Sequence, residues 1–102
     1  MAFNSDSVQV FLTVLDQGSF SAAARALGRV PSAVSMAVAN LEAELDLQLF
    51  DRTGREPRPT DAARALEPQA RQIALQLRAL HAHALSLTMG LEERLTLAIA
   101  PE

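Results

Sequence analysis

Apolar residues recur at helical spacing in the first half of the chain. The first stretch follows capping candidates at residues 4–6 and carries one apolar stripe, formed by Val8, Phe11, Leu12 and Leu15. An alanine-rich run at residues 22–27 comes next. A third stretch, residues 31–45, carries the stripe Val34, Val38, Leu41 and Leu45. These spacings predict three helices, with breaks at Gly18 and at residues 28–31.

Ser21 is the predicted N-cap of the second helix, because a serine oxygen accepts hydrogen bonds from the first free N–H groups of a helix. Phe20, just before it, can then fold back on the helix as an apolar staple. The same helix start could also bind a phosphate, since free N–H groups and the helix dipole favour an anion. A plain cap and a phosphate contact therefore both remain open for Ser21.

The third helix is unusual because residues 30–41 contain no charged side chain. Pro31 suits its first position, where the missing N–H costs nothing, although Val30 is a poor N-cap. A surface helix normally carries charge opposite its core stripe, so this face is expected to be covered by something other than water. Two short helices, the second with an acid-free face of small side chains, suit the major groove of DNA.

The first two turns of this helix carry the candidate base contacts. The hydroxyls of Ser32 and Ser35 can contact a base or a phosphate, and Met36 can contact a thymine methyl group. In the alternative interpretation, Ser32 only completes the helix start and Met36 packs against a protein partner.

A hairpin, or wing, is predicted after the third helix. The alternation of Leu47, Leu49 and Phe50 is typical of a short strand, and Thr53 with Gly54 supplies a tight turn. Prolines further along keep the return strand short. Three guanidinium groups at the tip can reach the DNA backbone or a minor groove, those of Arg52, Arg55 and Arg58. The alternative is an exposed loop whose arginines pair with Asp51 and Glu56.

Thr60 is the predicted N-cap of a last, long helix. Its apolar residues step alternately by four and three positions, as in a coiled coil, along the seam Leu66, Ala70, Ile73, Leu77, Leu80, Ala84 and Leu87. A second copy of the helix is the simplest partner for so narrow a stripe. Pro68 is expected to kink the helix, which should end at Met89 and Gly90. The alternation in residues 94–100 predicts the first strand of a further domain.

Composition limits the function. The 102 residues carry a net charge of −3, no cysteine, and nine basic residues that are all arginine. A chain of this size forms one small domain without an enclosed catalytic cleft, and no metal-ligand spacing or phosphate-binding glycine loop is present, so we expect no enzyme, metal or cofactor. The absence of cysteine fits a cytoplasmic protein. The sequence also contains no long apolar run, so we expect no membrane partner.

Three segments resemble the N-terminal DNA-binding region of LysR-type bacterial transcriptional regulators: FLTVLDQGSFSAAARAL, PSAVSMAVANLEAELDLQLFDRTGR and PTDAARAL. The resemblance implies a mainly α winged helix-turn-helix domain at residues 1–60, a linker helix that forms a homodimer at residues 61–89, and an effector-binding domain beginning at residues 90–102. It also implies binding to palindromic double-stranded DNA, a tetramer in the full-length protein, and a small-molecule effector bound only by that further domain.

Position by position, Pro31, Ser32 and Ala33 match the start of the family's recognition helix, Ser35 its usual hydroxyl and Arg52 the first arginine of the wing. Four residues depart from residues that are usual in the family: Val30 replaces Ser or Thr, Pro31 a frequent Gln, Met36 a frequent Arg, and Ala63 a usual Gly. The predicted DNA-binding set is Ser21, Pro31, Ser32, Ala33, Ser35, Met36, Arg52, Arg55, Arg58 and Thr60. The predicted function is a sequence-specific transcription regulator; the alternative is a winged-helix module that binds a protein.

Overall fold

A computed structural model describes residues 2–99, with side chains described for residues 2–90. In chain order its elements are α1 (Ser5–Gln17), α2 (Phe20–Leu27), α3 (Pro31–Leu45), β1 (Phe50–Asp51), β2 (Arg58–Pro59) and α4 (Asp61–Ile99). Three short helices, a small hairpin and one long helix confirm the predicted winged helix-turn-helix architecture. None of the helices in this described part of the chain has the length and apolar content needed to span a bilayer.

Local sequence signals set both ends of α1. The side chain of Asn4 accepts a hydrogen bond from the backbone N–H of Ser7 at 2.8 Å, and the hydroxyl of Ser7 accepts one from the N–H of Asn4 at 2.8 Å. This reciprocal capping box satisfies two free donors of the first turn. Gly18 ends the helix in the left-handed region, with φ of 79°, as the sequence predicts.

The predicted cap of α2 is wrong by two residues. Ser19, not Ser21, accepts the hydrogen bond from the N–H of Ala22, at 3.0 Å, and Phe20 is already the first helical residue. Both serines precede the same alanine-rich run, so the local sequence does not decide between them. The tertiary structure selects Ser19, because starting the helix at Phe20 lets its ring pack on Phe50.

The core joins the three short helices to the start of the wing. Phe50 is buried, with its ring centroid 6.0 Å from that of Phe11 and 6.3 Å from that of Phe20, both in edge-to-face geometry. Ala23 and Ala24 are buried in α2, where their small side chains allow neighbouring helices to approach closely. The base of the wing is therefore anchored in the helical core.

Two ion pairs tie α1 to other parts of the fold. Arg71 on α4 donates hydrogen bonds to Asp16 and Glu67, each at 2.8 Å, and these carboxylates raise the pKa of the Arg71 side chain. At the other end of α1, Arg29 pairs with Asp6 and lowers the pKa of that carboxyl, mainly through their hydrogen bond. The two contacts hold α1 against both the long helix and the turn before α3.

The predicted end of the long helix is wrong. α4 continues through Pro68 and Gly90 to Ile99, so the strand expected at residues 94–100 is helical as far as it is described, and Ala100 lies outside the described residues. A lone strand leaves its backbone donors and acceptors unpaired, whereas a helix satisfies them internally, and Leu, Glu, Arg and Ala favour it. The assignment of residues 90–102 to a further domain stays a prediction.

Candidate nucleic-acid interface

The outer face of α3 is exposed and carries the predicted base contacts. Its core stripe of Val34, Val38 and Leu41 is buried. On the other side Ser32 and Ala33 are exposed, and Met36 retains 62% of its accessible surface, while Ser35 is half-buried. The face therefore has hydroxyl, methyl and thioether groups available for contact and no ionic group before Glu42.

The start of α3 lacks a side-chain cap. Pro31 occupies its first turn, and the N-cap residue Val30 makes no capping hydrogen bond and is 62% exposed. On α2, Ser21 is exposed, as is Arg25 one helical turn later. Arg25 is a further candidate for contact with a phosphate, and the sequence analysis did not identify it. The i, i+4 spacing from Ser21 is the signal that places it on the same side of α2.

Asn40 is a second residue that the sequence reasoning missed. It is exposed on α3 and follows Ser32 and Met36 at successive spacings of four residues. This spacing places it on the same helix face, one turn further along. An asparagine amide can donate to and accept from a base edge, so Asn40 extends the polar chemistry of this face.

The wing is a short antiparallel hairpin in which Phe50 pairs with Pro59 and Asp51 with Arg58. Arg55 and Arg58 are exposed, and within residues 2–90 neither forms an ion pair, including with Glu56. Asp51 accepts hydrogen bonds from the backbone N–H and hydroxyl of Thr53, at 3.0 and 2.7 Å. These bonds lower the pKa of the Asp51 carboxyl, and the charge of Arg58 adds a smaller contribution. The alternative of wing arginines paired with Asp51 and Glu56 is therefore not found in the part of the chain whose side chains are described.

Arg52 has internal partners, unlike the other two wing arginines. One of its terminal nitrogens donates to Glu42 at 3.1 Å, and its guanidinium carbon lies 5.0 Å from the centroid of the Phe20 ring. Glu42 is only 9% exposed and also accepts hydrogen bonds from the backbone N–H groups of Leu49 and Phe50. This cluster was missed, although Glu42 follows Val38 by one helical turn and so lies beside the core stripe.

Thr60 has a structural role. Its hydroxyl donates to the carbonyl of Gln48 at 2.6 Å and accepts from the N–H of Ala63 at 3.2 Å, which confirms it as the cap of α4. Both hydrogen-bonding roles of the hydroxyl are used inside the protein. We therefore remove Thr60 from the candidate DNA contacts.

The apolar seam of α4 divides into two parts. Ala70 is buried in the core of its own chain, and Leu66 packs against that core, because α1 and the residues before it cover the first turns of α4. Beyond them, the seam residues are exposed: Ile73, Leu77, Leu80, Ala84 and Leu87. The first two seam positions thus contact the protein's own domain, and only the later ones are free for a partner helix.

The helices, the hairpin and the exposed face of α3 define the class of protein: a winged helix-turn-helix domain that carries a long helix. A family model for the bacterial regulatory helix-turn-helix proteins of the lysR family matches residues 5–64. This chain belongs to the LysR family of bacterial transcriptional regulators.

Individual relatives agree with this assignment. The chain is 48% identical over 102 residues to the HTH-type transcriptional regulator AceR of Acinetobacter baumannii, and the match covers 100% of the chain and 34% of that protein. It is 38% identical over 96 residues to the probable HTH-type transcriptional regulator YhaJ of Escherichia coli, covering 94% of the chain and 32% of the relative. The chain therefore spans about a third of the length of these regulators.

Solved structures show the same fold. The DNA-binding domain of BenM, in a crystal structure with benA site 1 DNA, superposes with a TM-score of 0.67 at 26% identity, covering 88% of this chain and 97% of that one. Full-length LysG of Corynebacterium glutamicum, solved with bound effector Arg, gives a TM-score of 0.71 at 34% identity, covering 85% and 29% of the two chains.

Proposed function

We propose that this protein binds double-stranded DNA with sequence preference, with α3 in the major groove and the wing on the adjacent backbone. The observation that carries the proposal is the exposed face of α3, which bears Ser32, Ala33 and Met36 and is free of ionic groups over residues 30–41. Such a face contacts base edges without the cost of removing a charge from water.

The arginines of the wing support this geometry. Arg55 and Arg58 are exposed on the wing and form no ion pair in the described part of the chain, so their charges are available to phosphates. The net charge of −3 does not oppose this, because residues 51–58 of the wing carry three arginines against two acids, Asp51 and Glu56. DNA binding by BenM, whose domain has this fold, is consistent with the proposal.

We further propose a homodimer formed by α4 through Ile73, Leu77, Leu80, Ala84 and Leu87. These residues follow the spacing of a coiled coil and stay exposed in the single chain, so association would remove them from water. A two-fold dimer presents two copies of α3, which predicts a palindromic operator whose half-sites lie on one side of the duplex.

Selection of bound duplexes tests the proposal. The purified protein is incubated with a random duplex library, bound fragments are sequenced, and the enriched sequence is titrated by fluorescence anisotropy at several salt concentrations. We expect an enriched two-fold symmetric sequence and an affinity that falls steeply with salt. The alternative of a winged-helix module that binds a protein predicts no enriched sequence and weak DNA binding, and that result would overturn the proposal.

A further inference from the structure

Glu42 connects the recognition helix to the first strand of the wing. It lies near the end of α3, and one of its carboxylate oxygens accepts hydrogen bonds from the backbone N–H groups of Leu49 and Phe50, at 2.7 and 3.1 Å. The other oxygen accepts from a terminal nitrogen of Arg52 at 3.1 Å. A single side chain therefore holds three donors from the segment that enters the hairpin.

The location of Glu42 shows what this contact can do. Glu42 is 9% exposed and lies beside the buried stripe of α3 rather than on the face of Ser32 and Met36, so its carboxylate is not placed to read a base. Leu49 and Phe50, the residues it holds, are themselves buried in the core. The contact thus fixes where the wing leaves the helical domain.

The cluster also holds Arg52 in place from a second side. Its guanidinium lies against the ring of Phe20, the first residue of α2, and a cation over an aromatic face is attracted to it. Glu42, Arg52 and Phe20 thereby link both helices of the helix-turn-helix unit to the wing. Hydrogen bonds of a shielded carboxylate to several donors are stronger than those between neutral groups.

We propose that Glu42 is a positioning residue for DNA binding: it sets the wing at the distance from α3 at which both contact one duplex together. This inference rests on the proposed function, because it concerns how the two DNA-contacting parts are coupled. Two contacts on one rigid body bind more tightly than two that move independently, since the second contact then loses less conformational entropy. Without the Glu42 carboxylate, the wing arginines would contribute little to affinity although they remain present.

A double-mutant cycle tests this coupling with Glu42→Gln, Arg58→Ala and the combined variant. The amide introduced by Glu42→Gln would present a donor to groups that are themselves donors, so at least one of the three hydrogen bonds is lost. In the otherwise unchanged protein we expect Arg58→Ala to weaken DNA binding roughly threefold to tenfold and to reduce the salt slope by about 1. In the Glu42→Gln protein the same change should weaken binding by less than about twofold, because contacts coupled through one element are not additive.

Two further variants separate positioning from stability and charge. Glu44→Gln removes an exposed acid from the same helix and should leave the effect of Arg58→Ala unchanged. Glu42→Asp keeps the charge but shortens the side chain by one methylene, and should behave like Glu42→Gln. Amide hydrogen exchange at Leu49 and Phe50 reports directly which Glu42 variant has lost the backbone hydrogen bonds. Binding is compared per folded protein, measured by circular dichroism.

The outcomes are distinct. If Arg58→Ala weakens DNA binding equally with and without the Glu42 carboxylate, the positioning role is overturned while the wing contact stands. The same conclusion follows if Arg58→Ala weakens binding as much in the Glu42→Asp protein as in the otherwise unchanged protein. If Arg58→Ala has no effect in the otherwise unchanged protein, the wing contact in the proposed function fails, and with it the basis of this inference.

Discussion

The guanidinium carbon of Arg52 lies 5.0 Å from the ring centroid of Phe20, so a predicted DNA-binding arginine packs on the helix that precedes the recognition helix. Arg55 and Arg58 have no such contact within the described side chains. The three wing arginines, which the sequence places within seven positions of one another, therefore divide into one that supports the fold and two that are free for phosphates.

Arg52→Ala is expected to lower stability as well as DNA affinity. The change leaves one oxygen of the shielded Glu42 carboxylate without its partner and removes the cation over Phe20, a loss of roughly 1 to 3 kcal/mol in the free energy of unfolding. Arg55→Ala is the matched control and should lower DNA affinity and the salt slope with no change in stability. Urea unfolding and anisotropy titrations measure both. Equal stability of the two variants would contradict the structural role of Arg52.

Met36 is expected to contact a thymine methyl group. Replacing the contacted thymine by deoxyuridine removes only that methyl group and should weaken binding roughly threefold to fivefold. Met36→Ala should abolish the difference between the two duplexes. Met89→Ala is the matched control, since Met89 on α4 is also 62% exposed, and it should preserve the difference. An undiminished preference for thymine in Met36→Ala would assign the methyl contact to another residue.

Leu80→Asp is expected to convert the proposed dimer to a monomer, because it places a charge in the centre of the apolar seam. Leu80 is 66% exposed in the single chain, so the change does not disturb the core. Leu75 is the control: it is 58% exposed and lies off the seam, and Leu75→Asp should remain dimeric. Light scattering gives the mass of each variant. A dimer that survives Leu80→Asp would place the interface elsewhere.

Asp46→Gly is expected to stabilise the fold. Asp46 ends α3 in the left-handed region, with φ of 54° and ψ of 42°, and places a negative charge at the helix C-terminus. Glycine adopts the left-handed conformation without strain and removes the unfavourable charge. We therefore expect a gain of about 0.5 to 1 kcal/mol in the free energy of unfolding.

Gly28→Ala provides the converse test. Gly28 has φ of 69°, and an added Cβ would meet no atom within 4 Å, so any loss of stability comes from backbone strain alone. We expect a loss of about 1 kcal/mol in the free energy of unfolding, measured by urea unfolding.

Urea unfolding also tests Asp46→Gly. If that change lowered the free energy of unfolding instead, the left-handed geometry at the end of α3 would not carry the cost that we assign to it.

The sequence alone determined the features that depend on neighbouring residues. The bounds of α3, residues 31–45, follow from Pro31 at its start and from an apolar stripe that steps by four, three and four residues and ends at Leu45. The cap at Thr60, the turn at Gly18 and the uncharged face of α3 are likewise local, because capping and helical periodicity act over only a few residues.

Only the tertiary structure decided the features whose partners are far apart in the chain. The choice of Ser19 over Ser21 depends on Phe20 packing against Phe50. The burial of Ala70 depends on α1, which precedes it by more than fifty residues. The Glu42 cluster brings together three elements of the fold. A buried carboxylate is favourable only when hydrogen-bond donors satisfy it, and the donors to Glu42 come from residues that are not its neighbours in the sequence. Burial and charge pairing depend on the packing of the complete domain. Only the folded structure could therefore show that Arg52 has internal partners whereas Arg55 and Arg58 are exposed and unpaired within the described residues.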